Sequence, residues 1–268
     1  STGGGTVLVG GDYQGKNPDI QNANITYFGP QASINADAAT NGDGGKVIVW
    51  ADDTTRAYGN ISARGGASGG DGGFVETSGK RYLDFTARVD TRAPHGKMGT
   101  LLLDPDEIEL YSGSGSDYGG GATYSATNPS IFYGGSGTAT LYGGNINTAL
   151  SGTGVILQTG PSGSGTGNIT INSGLYNFTN SNSLTLLAYG GSAATGNISF
   201  LPGTNMTFAG NFKAVAGWNG VSALSPATTG GKGDISISGA SIQGNGAVNL
   251  WAGKDIALSY SGSMGTWV

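Results

Sequence analysis

A chain of 268 residues with 53 glycines, no cysteine and a net charge of −5 rules out several classes at once. So much glycine, against a usual ~7%, suggests disorder, yet only 11% of the residues are charged and 37% are hydrophobic, the reverse of a disordered composition. There is no basic cluster to neutralise nucleic-acid phosphates, no thiol for disulfide or metal chemistry, and no apolar run near the ~20 residues that cross a bilayer.

Taken in order, the chain is a succession of short alternating phrases bounded by Gly, Asn, Ser or Asp. The first are Thr6–Val9, Asn24–Phe28 and Ala32–Ala36. A phrase then occurs twice, Gly42-Asp43-Gly44-Gly45-Lys46-Val47-Ile48-Val49 and Gly70-Asp71-Gly72-Gly73-Phe74-Val75-Glu76-Thr77, each a glycine corner running into a β-rich segment. Asn60–Arg64 lies between them, and Tyr82–Phe85, Ala87–Asp90 and Gly99–Leu103 follow. The second half continues with Val155–Thr159, Asn168–Ile171, Leu184–Leu187, Asn197–Phe200, Asp234–Ile237 and Val248–Trp251. Alternation over four or five residues is the mark of a strand, and no segment holds apolar residues at i, i+3, i+4, i+7 over three turns. The expectation is an all-β chain with helix nearly absent.

Spacing refines this. Ile34 to Val47 and Ile61 to Val75 span 13 and 14 residues, and Val155, Ile169, Leu184 and Ile198 follow at steps of 14, 15 and 14. Equal steps with the same glycine chemistry at each corner predict a parallel β-solenoid, in which successive coils stack ~4.8 Å apart. Two stretches break the rhythm: residues 111–144, rich in Gly, Ser and Tyr, and Gly217–Gly233, holding Trp218 and Pro226. They are expected to be loop excursions, which divides the chain into 1–110, a regular repeat region, 111–144, an excursion, and 145–268, a second repeat region.

The phrases Gly4–Gly15, Ala32–Ala38, Gly42–Asp52, Ile61–Gly79 and Gly99–Pro105, in this order, resemble the filamentous-haemagglutinin-like exoproteins of bacterial two-partner secretion. The resemblance is specific over residues 3–110 and looser over 145–268. It implies a right-handed parallel β-helix, a secreted or surface-bound product exported through an outer-membrane partner transporter, and an adhesin that attaches to a surface glycan or protein of host or bacterium. It also implies that the chain is an internal or carboxy-terminal piece of a longer exoprotein. End-to-end or lateral self-association is left open, and no functional residue is shared across the family in this region. Family members that capture haem carriers give one alternative; β-helical polysaccharide lyases and glycosidases give another.

Little in the sequence marks a reactive centre. For the enzyme alternative the carboxylates to test are Asp104, Asp106, Glu107 and Glu109, which otherwise read as an acidic turn at a break in the repeat. His95, the single histidine, reads as an exposed turn. The Gly-Asp-Gly-Gly phrases fall 28 residues apart rather than in the tandem spacing of calcium repeats. Neither a catalytic residue, a metal site nor a cofactor is expected. Ligand contact is assigned instead to aromatic side chains in the excursions, Tyr111, Tyr118, Tyr124, Tyr133, Tyr142 and Trp218, since rings among Gly and Ser make adaptable binding surfaces. Six sequons, at Asn24, Asn60, Asn168, Asn177, Asn197 and Asn205, are sites open to glycosylation.

Overall fold

The computed structural model describes residues 3–116, 138–160, 165–191, 194–223 and 226–259. These residues form an all-β fold whose sheets are parallel. The chain lays down strands in groups of three. The first groups are β1 (Thr6–Val9), β2 (Ile25–Phe28) and β3 (Ser33–Asn35), then β4 (Lys46–Ala51), β5 (Thr54–Ala57) and β6 (Asn60–Ser62), then β7 (Phe74–Gly79), β8 (Tyr82–Phe85) and β9 (Arg88–Asp90). Each strand pairs with its counterpart in the next group: β1-β4-β7, β2-β5-β8 and β3-β6-β9. The repeated phrase lies directly on itself, Val47 against Val75 and Val49 against Thr77.

The next group departs from this plan. After β10 (Thr100–Leu103) and β11 (Ile108–Tyr111), the chain returns as β12 (Ala139–Tyr142) on the opposite edge of β11 from β14 (Ile169–Ile171). A short helix, α1 (Gly143–Ala149), takes the place of a third strand and packs against β9 and against β15 (Gly174–Phe178). This helix opens on two glycines and is not foreshadowed by any periodicity. Its Ile146 and Ala149 are buried in the core, and tertiary packing sets its conformation.

The regular plan then resumes through β13 (Gly154–Gln158), β14 and β15. It continues with β16 (Leu184–Tyr189), β17 (Ile198–Phe200) and β18 (Thr204–Phe208), and with β19 (Phe212–Trp218), β20 (Ile235–Ser238) and β21 (Ser241–Gly244). The last described strands are β22 (Val248–Ala252) and β23 (Ile256–Ser259). One eight-stranded sheet, β1-β4-β7-β10-β13-β16-β19-β22, therefore takes strands from both sides of residues 111–144.

Inward-facing Val47, Val75, Leu101, Val155, Leu184 and Phe212 occupy one row of this sheet and belong to a single core. Phe178, Phe208 and Phe212 extend that core as a ring stack, with centroids 5.0 and 4.4 Å apart. Polar side chains hold the corners in register. Asn168 Oδ1 accepts the Asn197 N–H at 2.8 Å, Asn197 Oδ1 accepts that of Asp234 at 2.9 Å, and Asp234 Oδ1 that of Asp255 at 3.2 Å.

Candidate functional site

In the eight-stranded sheet, alternate residues point away from the core, and parallel sheets seldom leave such a face to water. Here it is buried. Ile48, Trp50, Glu76, Leu102, Gln158, Leu187 and Val215 all have relative exposures of 2% or less. Two connections cover them. The first, residues 10–24 between β1 and β2, crosses β4, β7 and β10. The second follows β19 and lies over Leu102, Ile156, Leu187 and Val215.

The first connection is fastened by its own chemistry. Gly15, at φ +61°, rests on the Trp50 indole, where a Cβ would meet Trp50 Nε1 at 2.6 Å. Asn22 Nδ2 donates to Gly15 O at 2.9 Å and to Asp52 Oδ1 at 3.0 Å. Gln14, immediately before Gly15, has φ 53° and ψ 23°, the one left-handed residue other than glycine among the described residues. Its backbone N–H donates to both oxygens of Glu76, at 3.3 and 3.1 Å, and its side-chain Nε2 donates to Asp104 Oδ2 at 2.8 Å. Lys16 Nζ donates to Gln14 Oε1 at 2.6 Å, and Gln158 Nε2 donates to the same Asp104 Oδ2 at 2.8 Å.

A connection from the first strand group thus reaches acids on β7 and just beyond β10, with an amide from β13 completing the cluster. Three of the phrases quoted above, Gly4–Gly15, Ile61–Gly79 and Gly99–Pro105, each contribute one member: Gln14, Glu76 and Asp104. Burial holds both carboxyls far above the usual range, Glu76 to about 8, with the neighbouring Asp104 adding to it, and Asp104 to about 7 against the opposing pull of Gln14, Lys16 and Gln158. Asp106, also buried, is raised to about 6.

Between the two connections runs an open groove of about 920 Å3. Tyr13, Phe74 and Lys46 make one wall. The two rings meet edge-on at 5.8 Å, and Lys46 Nζ stands 5.6 Å from the Tyr13 centroid while pairing with Asp12 at 3.0 Å. Met98 and Lys97 come from the corner before β10, and Val221 and Ala223 face them from the second connection. Tyr13, Met98 and Val221 are exposed at 38%, 38% and 81%. The groove offers rings and methyl groups flanked by lysines, a surface suited to a partner with both apolar faces and anionic or hydroxyl groups.

The residues singled out in the sequence fall elsewhere. Trp218, expected in a loop excursion as a ligand contact, is 2% exposed and is part of the second apolar cluster, with its Nε1 donating to Ser222 O at 3.2 Å. Strand β19 continues through Gly217, at φ +72°, and a register shift pairs Tyr189 with Trp218 instead of with Gly217; the bulge turns the indole onto the covered face. Tyr111 and Tyr142 lie side by side on β11 and β12, ring centroids 6.2 Å apart, with Tyr111 Oη donating to Glu109 at 2.7 Å. Tyr118, Tyr124 and Tyr133 lie outside the described residues.

The four carboxylates proposed for an enzyme do not converge. Asp104 and Asp106 are buried. Glu107 accepts from the Thr166 backbone and hydroxyl at 2.6 and 2.7 Å, and Glu109 is held by Tyr111. His95 lies exposed in a turn. Among the sequons, Asn24, Asn60, Asn177 and Asn205 are exposed, whereas Asn168 and Asn197 are rungs of the corner ladder. The described residues contain no group of three or more metal-ligating side chains, and none of their helices is long and apolar enough to cross a membrane.

Glu76 is the member that sequence reasoning overlooks. It stands at an outward position of an alternating strand, where a glutamate is ordinary, and only the covering connection makes it buried. No family model matches the chain, and no curated protein matches it in sequence.

Proposed function

We propose that this chain is a stiff, right-handed parallel β-helical segment of a secreted bacterial surface adhesin, without catalytic activity, that attaches to surface or matrix polysaccharide through the groove between its two covering connections. The observation that carries this reading is the pairing of each strand of the eight-stranded sheet, in parallel, with its equivalent in the next group. Crossover connections between parallel strands are right-handed in nearly all proteins, and successive groups stacked this way make a rod. Export through an outer-membrane partner transporter and residence at the cell surface belong to the same reading, which rests on the resemblance of residues 3–110. A saccharide suits the groove because the exposed Tyr13 ring and the half-buried Phe74 ring, beside Lys46 and Lys97, present stacking faces and hydrogen-bond donors together. The absence of catalysis is supported by the position of the acids: Glu76 and Asp104 lie beneath Gln14, out of reach of a polymer in the groove.

The test is binding of the purified chain to an array of neutral and acidic polysaccharides. Tyr13→Ala and Phe74→Ala are expected to weaken binding at least tenfold, and Glu109→Gln to leave it unchanged. Release of reducing ends or unsaturated sugars from any polysaccharide on the array would instead establish the enzyme reading.

A further inference from the structure

Two buried acceptor atoms in the cluster beneath Gln14 have no protein partner, Asp104 Oδ1 and Gln158 Oε1. Their side chains are 3% and 0% exposed and already joined, because Gln158 Nε2 donates to Asp104 Oδ2 at 2.8 Å. A carboxyl and a primary amide are both planar, each with two polar atoms about 2.2 Å apart by standard geometry, so with the two planes aligned one N–H···O bond sets the second pair, Asp104 Oδ1 and Gln158 Oε1, opposite each other. Between a carboxylate and an amide that second pair would be two bare lone-pair oxygens in a buried site, each left with the cost of an unsatisfied buried group. One proton on Asp104 satisfies both.

We propose that Asp104 is held as the neutral acid, its Oδ1–H donating to Gln158 Oε1, and that this acid–amide clasp latches residues 10–24 closed over the sheet. The same carboxyl receives Gln14 Nε2, so β13, the turn after β10 and the covering connection meet at one group. Opening is loss of one proton from Oδ1 to solvent, with no other covalent change.

The charged and titratable groups facing the clasp are Lys16 and Tyr13 on the connection, Glu76 on β7 and Asp106 in the same turn, with Lys46 of β4 acting on Glu76. Burial, which favours the neutral acid, outweighs Lys16, and the raised value of about 7 agrees with the geometry. The closed form binds the proton more tightly than an open, solvated one with an ordinary value of about 4. Closure is therefore strongest in acid and weakens as pH rises through that interval.

The latch would regulate the groove proposed above, because Tyr13 belongs to the connection it holds. It is read out without ligand, so failure of the saccharide reading would not touch it. The experiment is amide hydrogen exchange of residues 11–16 on the whole chain, corrected for intrinsic rates, from about pH 5 to about pH 9. Protection is expected to fall at least tenfold across this range. Asp104→Asn carries a permanent N–H where the acid carries its proton. Its protection is expected to exceed that of the wild type by a factor that grows with pH and is at least tenfold above about pH 8. A flat wild-type profile overturns the proposal with no variant involved. Coincident profiles above pH 8, or a folded Asp104→Asn less protected at every pH, overturn it as well.

Discussion

Asp43 Oδ1 accepts the backbone N–H of Asp71 at 2.7 Å, and Asp71 in turn accepts that of Lys97 at 2.8 Å. The repeated Gly-Asp-Gly-Gly phrase therefore acts as a clamp between consecutive strand groups, and Asn168, Asn197 and Asp234 repeat the device at a second corner. Each rung closes a backbone donor that the turn leaves without a ladder partner, which is worth ~1 kcal/mol when partly buried. Asn197→Ala removes an acceptor from Asp234 N–H and is expected to lower stability by about 1–2 kcal/mol. Urea unfolding followed by circular dichroism measures this. Asn60→Ala, an exposed position with no rung, serves as the comparison and is expected to stay within about 0.5 kcal/mol of the wild type.

The glycines beside these aspartates are fixed by contact as much as by conformation. A Cβ on Gly45 would collide with the carbonyl oxygen of Gly5, and one on Gly72 with that of Thr91; neither neighbour is a side chain that could rotate away. Gly5 is the counterpart of Gly45 in the corner before β1, at the edge of the sheet, and a Cβ there meets nothing within 4 Å. Gly45→Ala should thus cost about 1–3 kcal/mol or more through forced backbone displacement, while Gly5→Ala should be nearly neutral. Equal unfolding midpoints for the two variants would show that the stack tolerates a wider spacing at the corner.

Most of this architecture is legible in the sequence because strand, corner and row repeat with the same residues. Val47 and Val75 can be paired from the phrase alone, and the inward Val, Ile and Leu positions follow by alternation. Strand β5, Thr54–Ala57, is hidden because Thr54, Thr55 and Arg56 are polar although buried, so no apolar alternation marks it. Strand β12 alternates over only four residues within a Gly-, Ser- and Tyr-rich stretch and helix α1 carries no periodic signal; their places depend on contacts with β8, β9 and β15. The candidate site is harder still. Tyr13 and Gln14 stand in a connection whose course over the sheet no local pattern encodes, and Trp218 is misplaced because nothing local marks Gly217 as a bulge and not a turn. Glu76 and Asp104 lie 28 residues apart in sequence, and a residue 62 positions before Glu76 makes them a pair.

The Phe178–Phe208–Phe212 stack fills the core beside the second half of the eight-stranded sheet, with Phe208 in the middle at near-parallel angles of 9° and 14° to its neighbours. Truncating the middle ring removes both contacts and leaves a cavity whose β-sheet walls are pinned by their ladders and cannot collapse. Phe208→Ala is expected to cost about 3–5 kcal/mol, whereas Phe208→Leu, which keeps most of the volume, should cost markedly less. The ordering of the three unfolding midpoints checks it, and a Phe208→Leu variant as unstable as Phe208→Ala would mean that the ring stacking, and not the volume, is what matters.

Stability should also depend on pH in a direction opposite to that of most acidic proteins. Glu76, Asp104 and Asp106 have folded values of about 8, 7 and 6, raised by burial above the ~4 of an unfolded carboxyl. A raised carboxyl binds more protons in the folded state, so its contribution is greatest below the unfolded value and is lost progressively up to the folded one. Asp12 works in the other sense. Hydrogen bonds from Asn17 and Tyr13, with Lys46, lower it to about 2, so the stability it adds is present above about 4 and lost only in stronger acid. The two effects together place the optimum near pH 4–5. The urea midpoint is expected to fall steadily from about pH 5 to about pH 8 and to level off beyond. Asp106→Asn, which removes the lowest of the three raised values, should flatten the part of the curve below about pH 6 and leave the rest unchanged. A midpoint that rises between pH 5 and 8 would mean that the three acids enter the folded state as carboxylates, with partners strong enough to offset their burial.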